Sequence, residues 1–321
     1  MENLKVCAII VTYNRKALLA RCIQSVQLQS YMLNSILVID NASTDASYEF
    51  LVNDGLIANK DVIDETLIDV SLDKNQMFYY RTKSNIGGAG GFYTGLKIAR
   101  EQNVYNAFWL MDDDGYPSMD CLGKQIFYLG KYDYVMPVSI DIDDHAKLSW
   151  ATRKRNGKKT NIYSSIKKDW GDLIPFIFPF NGSLLSSKIV DRVGYINPDL
   201  FIWGDDYEHY YRCLKFGFTP VTLLDAIFYH PVNKASAIPI LFGIFQVPYV
   251  DSKLKFICLI RNWAFIYKKN RRCFAVVKSF FAYTWLFLIT RKMDISGYKL
   301  YLVSTLDGFR EDFTRHLKYL K

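Results

Sequence analysis

Three consecutive aspartates, Asp112, Asp113 and Asp114, follow the apolar run Ala107–Met111 and precede Gly115. Adjacent carboxylates repel one another, and the arrangement is costly unless solvent or a cation compensates. Oxygen donors of this kind suit a hard divalent ion, Mn²⁺ or Mg²⁺, which could grip a diphosphate and neutralise charge as it leaves. A solvated acidic turn is the plainer reading, but few such turns follow a buried apolar strand directly. A second acidic cluster, Asp205-Asp206-Tyr207-Glu208, comes after Trp203-Gly204. One carboxylate there, beside an acceptor hydroxyl, could serve as general base, and Trp203 offers an apolar face to a sugar ring. The alternative is a helix N-terminus, where acidic side chains favour the dipole. His230 follows the apolar run Leu223–Tyr229 and could complete a carboxylate metal site, although a lone histidine is more often structural.

Two further segments carry chemistry in their residue types. Asn85-Ile86-Gly87-Gly88-Ala89-Gly90-Gly91 is a glycine-rich loop ahead of a helical pattern. Glycine lets backbone approach a phosphate or ribose, and a helix N-terminus favours negative charge. A tight turn permitting helix–sheet contact explains the same glycines. The loop does not occupy the first strand–helix turn, where a dinucleotide fingerprint belongs. Asp40-Asn41 ends another apolar run, and its carboxylate could accept hydrogen bonds from a base or ribose, or cap a helix together with Ser43.

These residues need a scaffold, and the first half of the chain supplies one. Short β-branched or apolar runs at 6–11, 36–39, 77–81, 107–111 and 133–140 predict strands. Helical spacing at Leu19, Ile23 and Val26, through Tyr48 and Leu51, and over Gly90–Arg100 falls between them. The alternation predicts an α/β fold, a Rossmann-like, doubly wound and mostly parallel sheet. In such sheets ligands bind beyond the carboxyl ends of the strands, and Thr12-Tyr13-Asn14, Asp40 and Asp112–Asp114 fall there. Residues 53–76 read as an insertion or weak helix and 153–168 as a surface loop. From 237 onward Ile, Leu, Phe, Trp and Tyr dominate, with basic clusters at Lys268, Lys269, Arg271 and Arg272, which predicts a helical carboxyl-terminal region. The expected division is therefore 1–236 and 237–321.

Composition narrows the partners. The net charge of +8 favours an anionic one. Lys and Arg are scattered, and the acidic clusters would repel phosphate without metal, so a nucleic-acid-binding protein is disfavoured. The six cysteines contain no CxxC pair, which predicts reduced thiols in a cytosolic protein and excludes a disulfide framework. No secretory signal is expected at the start, because the first apolar run is short and strand-like. The apolar run Cys273–Thr290 is interrupted by Lys278 and marginal for a span, which favours an interfacial surface that binds anionic lipid.

Taken in order, Thr12-Tyr13-Asn14, Asp40-Asn41-Ala42-Ser43-Thr44-Asp45, the glycine loop, the aspartate triplet and Asp205-Asp206-Tyr207-Glu208 resemble family 2 inverting glycosyltransferases of the GT-A fold, over about residues 5–235. The likeness is to bacterial galactofuranosyltransferases and rhamnosyltransferase-like enzymes of polysaccharide assembly. It implies a donor site of Thr12, Tyr13, Asn14, Asp40, Asn85, Gly87, Gly88, Asp112 and Asp113, with Asp112, Asp114 and His230 holding the metal. It implies Asp206 as catalytic base, with Asp205 beside it, and an acceptor site shaped by Trp203, Asp205 and Glu208. The expected donor is UDP-galactofuranose, or alternatively dTDP-rhamnose. The expected acceptor is a saccharide or polyprenol-linked saccharide presented at the cytoplasmic face of the plasma membrane. A nucleotide-sugar-binding scaffold without catalysis is the competing reading, and the retained carboxylates argue against it.

Overall fold

The protein is described from a computed structural model, which describes residues 4–72, 76–176, 179–232 and 237–320. The chain divides into two compact units, Met1–Pro198 with His209–Asn233, and Asp199–Glu208 with Lys234–Lys321. Residues 199–208, assigned to the first 236 residues on sequence grounds, thus cluster with the carboxyl-terminal segment. Residues 233–236, beside the expected boundary, lie outside the described residues.

The first unit begins β1 (Val6–Thr12), α1 (Lys16–Gln27), β2 (Ser35–Asp40), α2 (Ser47–Asn53), β3 (Leu67–Asp69), β4 (Gln76–Arg81), α3 (Gly87–Glu101) and β5 (Ala107–Asp112). It continues through β6 (Tyr116–Pro117), α4 (Cys121–Tyr132), β7 (Tyr134–Asp141), β8 (Lys147–Arg153), β9 (Lys159–Ile162), α5 (Tyr163–Trp170), β10 (Leu173–Ile174), β11 (Asn181–Ser186) and α6 (Ser187–Val193). After α7 (Asp205–Lys215), whose first turn belongs to the second unit, β12 (Val221–His230) returns to the sheet. Among the described residues the sheet has twelve strands, with the path β10-β12-β7-β11-β5-β1-β2-β4-β3.

Every residue of β1, β2 and β7 is buried, which explains their unbroken apolar runs: they are covered on both faces. β1 pairs in parallel with β2 and β5, and the register sets Thr12 opposite Asp40 and Val11 opposite Asp112. The carboxyl ends of three neighbouring strands thereby meet at one edge of the sheet. Helix α3 packs directly on β1. A Cβ at Gly91 would stand 2.5 Å from Val11 Cγ1, and one at Gly95 2.4 Å from Ile9 Cγ2, so both glycines are demanded by helix–sheet contact.

The α/β sheet is as expected, with antiparallel members among its parallel strands: β11 enters antiparallel between β5 and β7 and β3 adds an antiparallel edge to β4. Two other expectations change. Residues 53–76, where neither strand nor turn chemistry stood out, carry β3; residues 73–75 lie outside the described residues. The polar stretch 153–168 is a β8–β9 hairpin running into α5, exposed on its outer side and therefore polar, with Ile166 the fully buried residue of α5.

The second unit opens with an antiparallel hairpin, β13 (Ala237–Ile240) and β14 (Phe245–Pro248), which a purely helical expectation misses. Helices α8 (Lys253–Lys269), α9 (Cys273–Trp285) and α10 (Ile295–Arg310) follow. Its core joins Ile240, Val247, Phe256, Ile260, Tyr283, Leu286, Phe287 and Tyr301. A run at Cys273–Thr290 is long and apolar enough to cross a membrane.

Candidate active site

In the first unit the loop after β1 reaches the aspartate triplet. Thr12 Oγ1 donates to Asp113 Oδ2 at 2.6 Å. Arg15 Nη1 donates to Asp113 Oδ1 at 3.0 Å and to Asp114 Oδ2 at 2.7 Å. Arg15 was not anticipated from sequence; its signal was a cation just after the first strand, in the turn where β1 feeds α1. Burial pushes the Asp113 carboxyl up to about 6 against the pull of Arg15 and Thr12. Burial acts the same way on Asp114, but His230 and Arg15 overcome it and hold that carboxyl below the usual range.

His230 ends β12 and comes to the triplet from the other side. Its Nε2 lies 3.0 Å from Asp114 Oδ1, and its Nδ1 lies 2.6 Å from the Pro231 carbonyl oxygen. The carbonyl only accepts, so Nδ1 carries a proton and Nε2 is the ring nitrogen turned on the carboxylate. A proton or a cation can bridge this nitrogen and the carboxylate oxygen. Ligands about 2.1 Å from a shared octahedral ion stand about 3 Å apart, so the pair fits a divalent cation. Trp150 lies against the imidazole with ring centroids 4.5 Å apart, and Ser149 Oγ donates to the His230 carbonyl. Neither neighbour was predicted. Among the described residues no group of three or more His, Cys, Asp or Glu side chains forms a metal cage by itself. The expected third ligand, Asp112, ends β5 opposite Val11. A site of one carboxylate and one imidazole leaves most positions to substrate phosphate and water, which is the usual manner for Mg²⁺.

The remaining predicted donor residues form a hydrogen-bonded rim. Asn14, with φ of 55°, donates its N–H to Ser43 Oγ, and its Oδ1 accepts from the Thr44 N–H. Asp40 is 1% exposed, and its carboxylate is already engaged by the Ser43 N–H at 2.8 Å and the Tyr79 hydroxyl. It therefore holds the 41–45 loop. Tyr13 is exposed beside it. Asn85 Oδ1 accepts from the Gly87 N–H, and Asn41 Nδ2 donates to the Gly87 carbonyl, fixing the entrance to α3. Gly87 has φ of +73°, whereas a Cβ at Gly88 would meet nothing within 4 Å. Packing thus accounts for Gly91 and Gly95, and leaves Gly88 facing open space at a helix N-terminus. A cavity of about 540 Å³ elsewhere in this unit is lined by Asp120, Lys124, Asp225 and neighbours and includes none of the predicted residues.

In the second unit the other acidic cluster starts α7. Asp205 and Asp206 are buried, and burial raises both carboxyls well above the usual range; the Asp206 charge lifts Asp205 further. The Tyr207 N–H donates to Asp206 Oδ1 at 2.8 Å. A buried carboxylate with a raised pKa is suited to taking a proton near neutral pH. The loop before it is strained: Phe201, Trp203 and Gly204 have φ of 64°, 65° and 88°. Asn262 on α8 restrains it. Its Nδ2 donates to the carbonyls of Leu200, Ile202 and Trp203 at 2.9, 3.0 and 2.7 Å, and its Oδ1 accepts from Arg261 Nε. Arg261 is fully buried and donates to the Leu200 and Phe313 carbonyls and to His316 Nδ1. Sequence reasoning missed this pair, although an Arg-Asn dipeptide inside an apolar helix was its signal. Trp203, expected at an acceptor site, lies under Lys255, while Tyr207 packs on Trp263.

Known proteins resemble this chain in sequence and in fold. The sequence model described as glycosyl transferase family 2 matches residues 7–194. Galactofuranosyltransferase GlfT1 of Mycolicibacterium smegmatis is 27% identical over 97% of this chain and 98% of its own length. The dTDP-rhamnosyl transferase RfbF of Shigella flexneri is 25% identical over 54% of this chain and 58% of its own. Among solved structures, GalNAc-T7 with UDP, GalNAc and Mn²⁺ superposes with a TM-score of 0.56 at 13% identity, covering 83% of this chain and 48% of that one. The mannosyltransferase PcManGT of Pyrobaculum calidifontis, in complex with GDP-Man and Mn²⁺, gives 0.54 at 16% identity, covering 85% and 65%. At these identities the superpositions speak for the fold, which is GT-A.

Proposed function

Because the chain belongs to glycosyl transferase family 2, and is a glycosyltransferase, we propose that it moves galactofuranose from UDP-galactofuranose, with inversion, onto a saccharide acceptor carried by a membrane lipid. The full-length similarity to galactofuranosyltransferases supports the donor, and the shorter similarity to a dTDP-rhamnosyl transferase makes dTDP-rhamnose the second reading. The observation that carries the reading is the Asp114–His230 pair beside Arg15 at the carboxyl edge of the sheet.

The donor diphosphate lies against Asp114 and His230, with the nucleoside along Thr12–Asn14 and the Asn85–Gly88 turn. Asp114 and His230 would hold a divalent ion, which would supply Lewis-acid stabilisation of the leaving diphosphate. Arg15 adds a fixed positive charge at the same carboxylates, and the N-terminus of α3 adds its dipole. Asp206 accepts the proton of the acceptor hydroxyl, whose oxygen attacks the anomeric carbon as the bond to the diphosphate breaks. A single displacement inverts configuration and leaves no sugar on the enzyme. Asp205, held protonated by burial beside Asp206, keeps the pair from carrying two charges. The acceptor is presented at the cytoplasmic face of the plasma membrane, where the enzyme is peripheral.

The test is transfer with inversion from a panel of nucleotide sugars, in the presence of Mn²⁺, Mg²⁺ or a chelator. Turnover restricted to another donor would discard galactofuranose and keep the class.

A further inference from the structure

The carboxyl-terminal unit exposes large apolar side chains on two adjoining elements. At the turn between β13 and β14, Phe242 is 96% exposed and Ile244 72%. Turns are ordinarily made of glycine and polar residues. Here Leu241 and Phe242 hold φ of 50° and 56° ahead of Gly243 at 88°, a conformation unfavourable for apolar side chains. On α9, Phe274 is 82% exposed and Phe281 66%, and with Val277 between them the spacing makes one helical stripe. The two elements touch, since the Phe242 and Trp285 rings lie 6.2 Å apart and Lys278 Nζ sits over the Phe245 ring.

The chemistry of the rim selects the occupant. Residues 268–292 hold seven lysines and arginines and no aspartate or glutamate. Exposed rings within a cationic border complement an anionic bilayer interface, where apolar side chains enter the acyl boundary and cations meet headgroups. An interfacial position suits the segment better than a crossing. The 18 residues of Cys273–Thr290 reach about 27 Å as helix, at the lower limit for a span, and are interrupted by Lys278. Their other side is committed to the fold, with Leu286 and Phe287 buried and Tyr283 stacked on Tyr301 while donating to the Pro248 carbonyl.

We propose that the β13–β14 turn and the outer stripe of α9 form a bilayer-inserting surface specific for anionic lipid, with Phe242 and Ile244 as its wedge. This deepens the reading of a membrane-presented acceptor and rests on it for its purpose. Flotation with phosphatidylcholine vesicles, with and without phosphatidylglycerol, tests it. The wild-type protein is expected to float with the anionic vesicles and to be released by salt. Phe242→Ser with Ile244→Ser, and separately Phe274→Ser with Phe281→Ser, are expected to lower partitioning about tenfold or more. Thermal unfolding and metal-dependent donor hydrolysis in vesicle-free buffer stay unchanged in both, because these side chains are exposed. Partitioning unaffected by either double substitution, or absent in the wild type, overturns the proposal. So does a wild-type dimer in buffer that the substitutions dissolve, which would make the surface a self-association interface. Failure of the wild type to hydrolyse any donor would sink the transferase reading and leave the flotation result standing.

Discussion

His230 Nε2 stands 3.0 Å from Asp114 Oδ1, although the two residues lie on opposite sides of the sequence's second acidic cluster. The ring is held by the Pro231 carbonyl at Nδ1, so its Nε2 and the carboxylate point at one another. A divalent cation fits between the two atoms, and the first prediction follows from it. Mn²⁺ is expected to raise the melting temperature of the wild-type protein, and the rise is expected to vanish in Asp114→Asn and His230→Ala. Transfer in both variants should fall by about 100-fold or more. Melting curves with and without chelator check the first part; a metal-induced rise retained by both variants would place the ion elsewhere.

Asp206 carries the second prediction. Asp206→Asn should bind UDP with Mn²⁺ as the wild type does and lose about 10²- to 10⁴-fold in kcat. Burial raises this carboxyl, so the base form is present above its folded pKa and lost as pH falls through it. The acid limb of kcat should therefore lie above the ordinary carboxylate range. For stability the sign is opposite: the folded protein binds a proton the unfolded chain has released, so Asp206 destabilises above its folded pKa and that penalty disappears as pH falls toward the unfolded value. Melting against pH should flatten in Asp206→Asn across that window. An acid limb unmoved by the substitution would remove Asp206 from the role of base.

Asn262 tests how the base-bearing loop is held. Asn262→Ala leaves the carbonyls of Leu200, Ile202 and Trp203 without that donor, and should cost about 1–3 kcal/mol of stability. Because the loop leads into Asp205 and Asp206, kcat should fall while UDP affinity is retained. Denaturant unfolding and nucleotide titration separate the two effects. Weakened nucleotide binding with unchanged kcat would contradict this assignment.

The glycine loop separates packing from binding. Gly95→Ala drives a methyl into Ile9 and should destabilise by about 1–3 kcal/mol, as overpacked contacts do. Gly88→Ala meets no neighbouring atom and should leave stability nearly unchanged while raising the donor KM. Stability loss at Gly88 with donor KM unaffected would assign that glycine to folding alone.

Much of this arrangement was legible because it is local. β-branched and apolar runs ending in polar residues located the strands, whereas the register of β1 with β2 and β5 was not legible, because runs buried on both faces carry no alternation to fix it. The antiparallel entry of β11 was not legible, since no local signal in Asn181–Ser186 states which strands it will join. Arg15 stayed hidden for a related reason: its partners, Asp113 and Asp114, are about a hundred residues away, and its own surroundings read as an ordinary helix start. Asp40 looked free to bind a base, yet Tyr79 from β4 claims its carboxylate, a contact that only the sheet order creates. Apolar residues in the Leu241–Ile244 turn broke the usual turn chemistry, and the hairpin was masked as helix.

The proposed transfer of galactofuranose from its UDP donor, through a metal held by Asp114 and His230, is open to direct test in this family 2 glycosyltransferase. The most direct measurement is release of the nucleoside diphosphate across a panel of nucleotide sugars, with Mn²⁺, Mg²⁺ or chelator and a lipid-tailed sugar acceptor. Acceptor-dependent release of UDP from UDP-galactofuranose is expected, abolished by chelator and by His230→Ala. Release that survives both treatments, or turnover confined to a different nucleotide sugar, would contradict it.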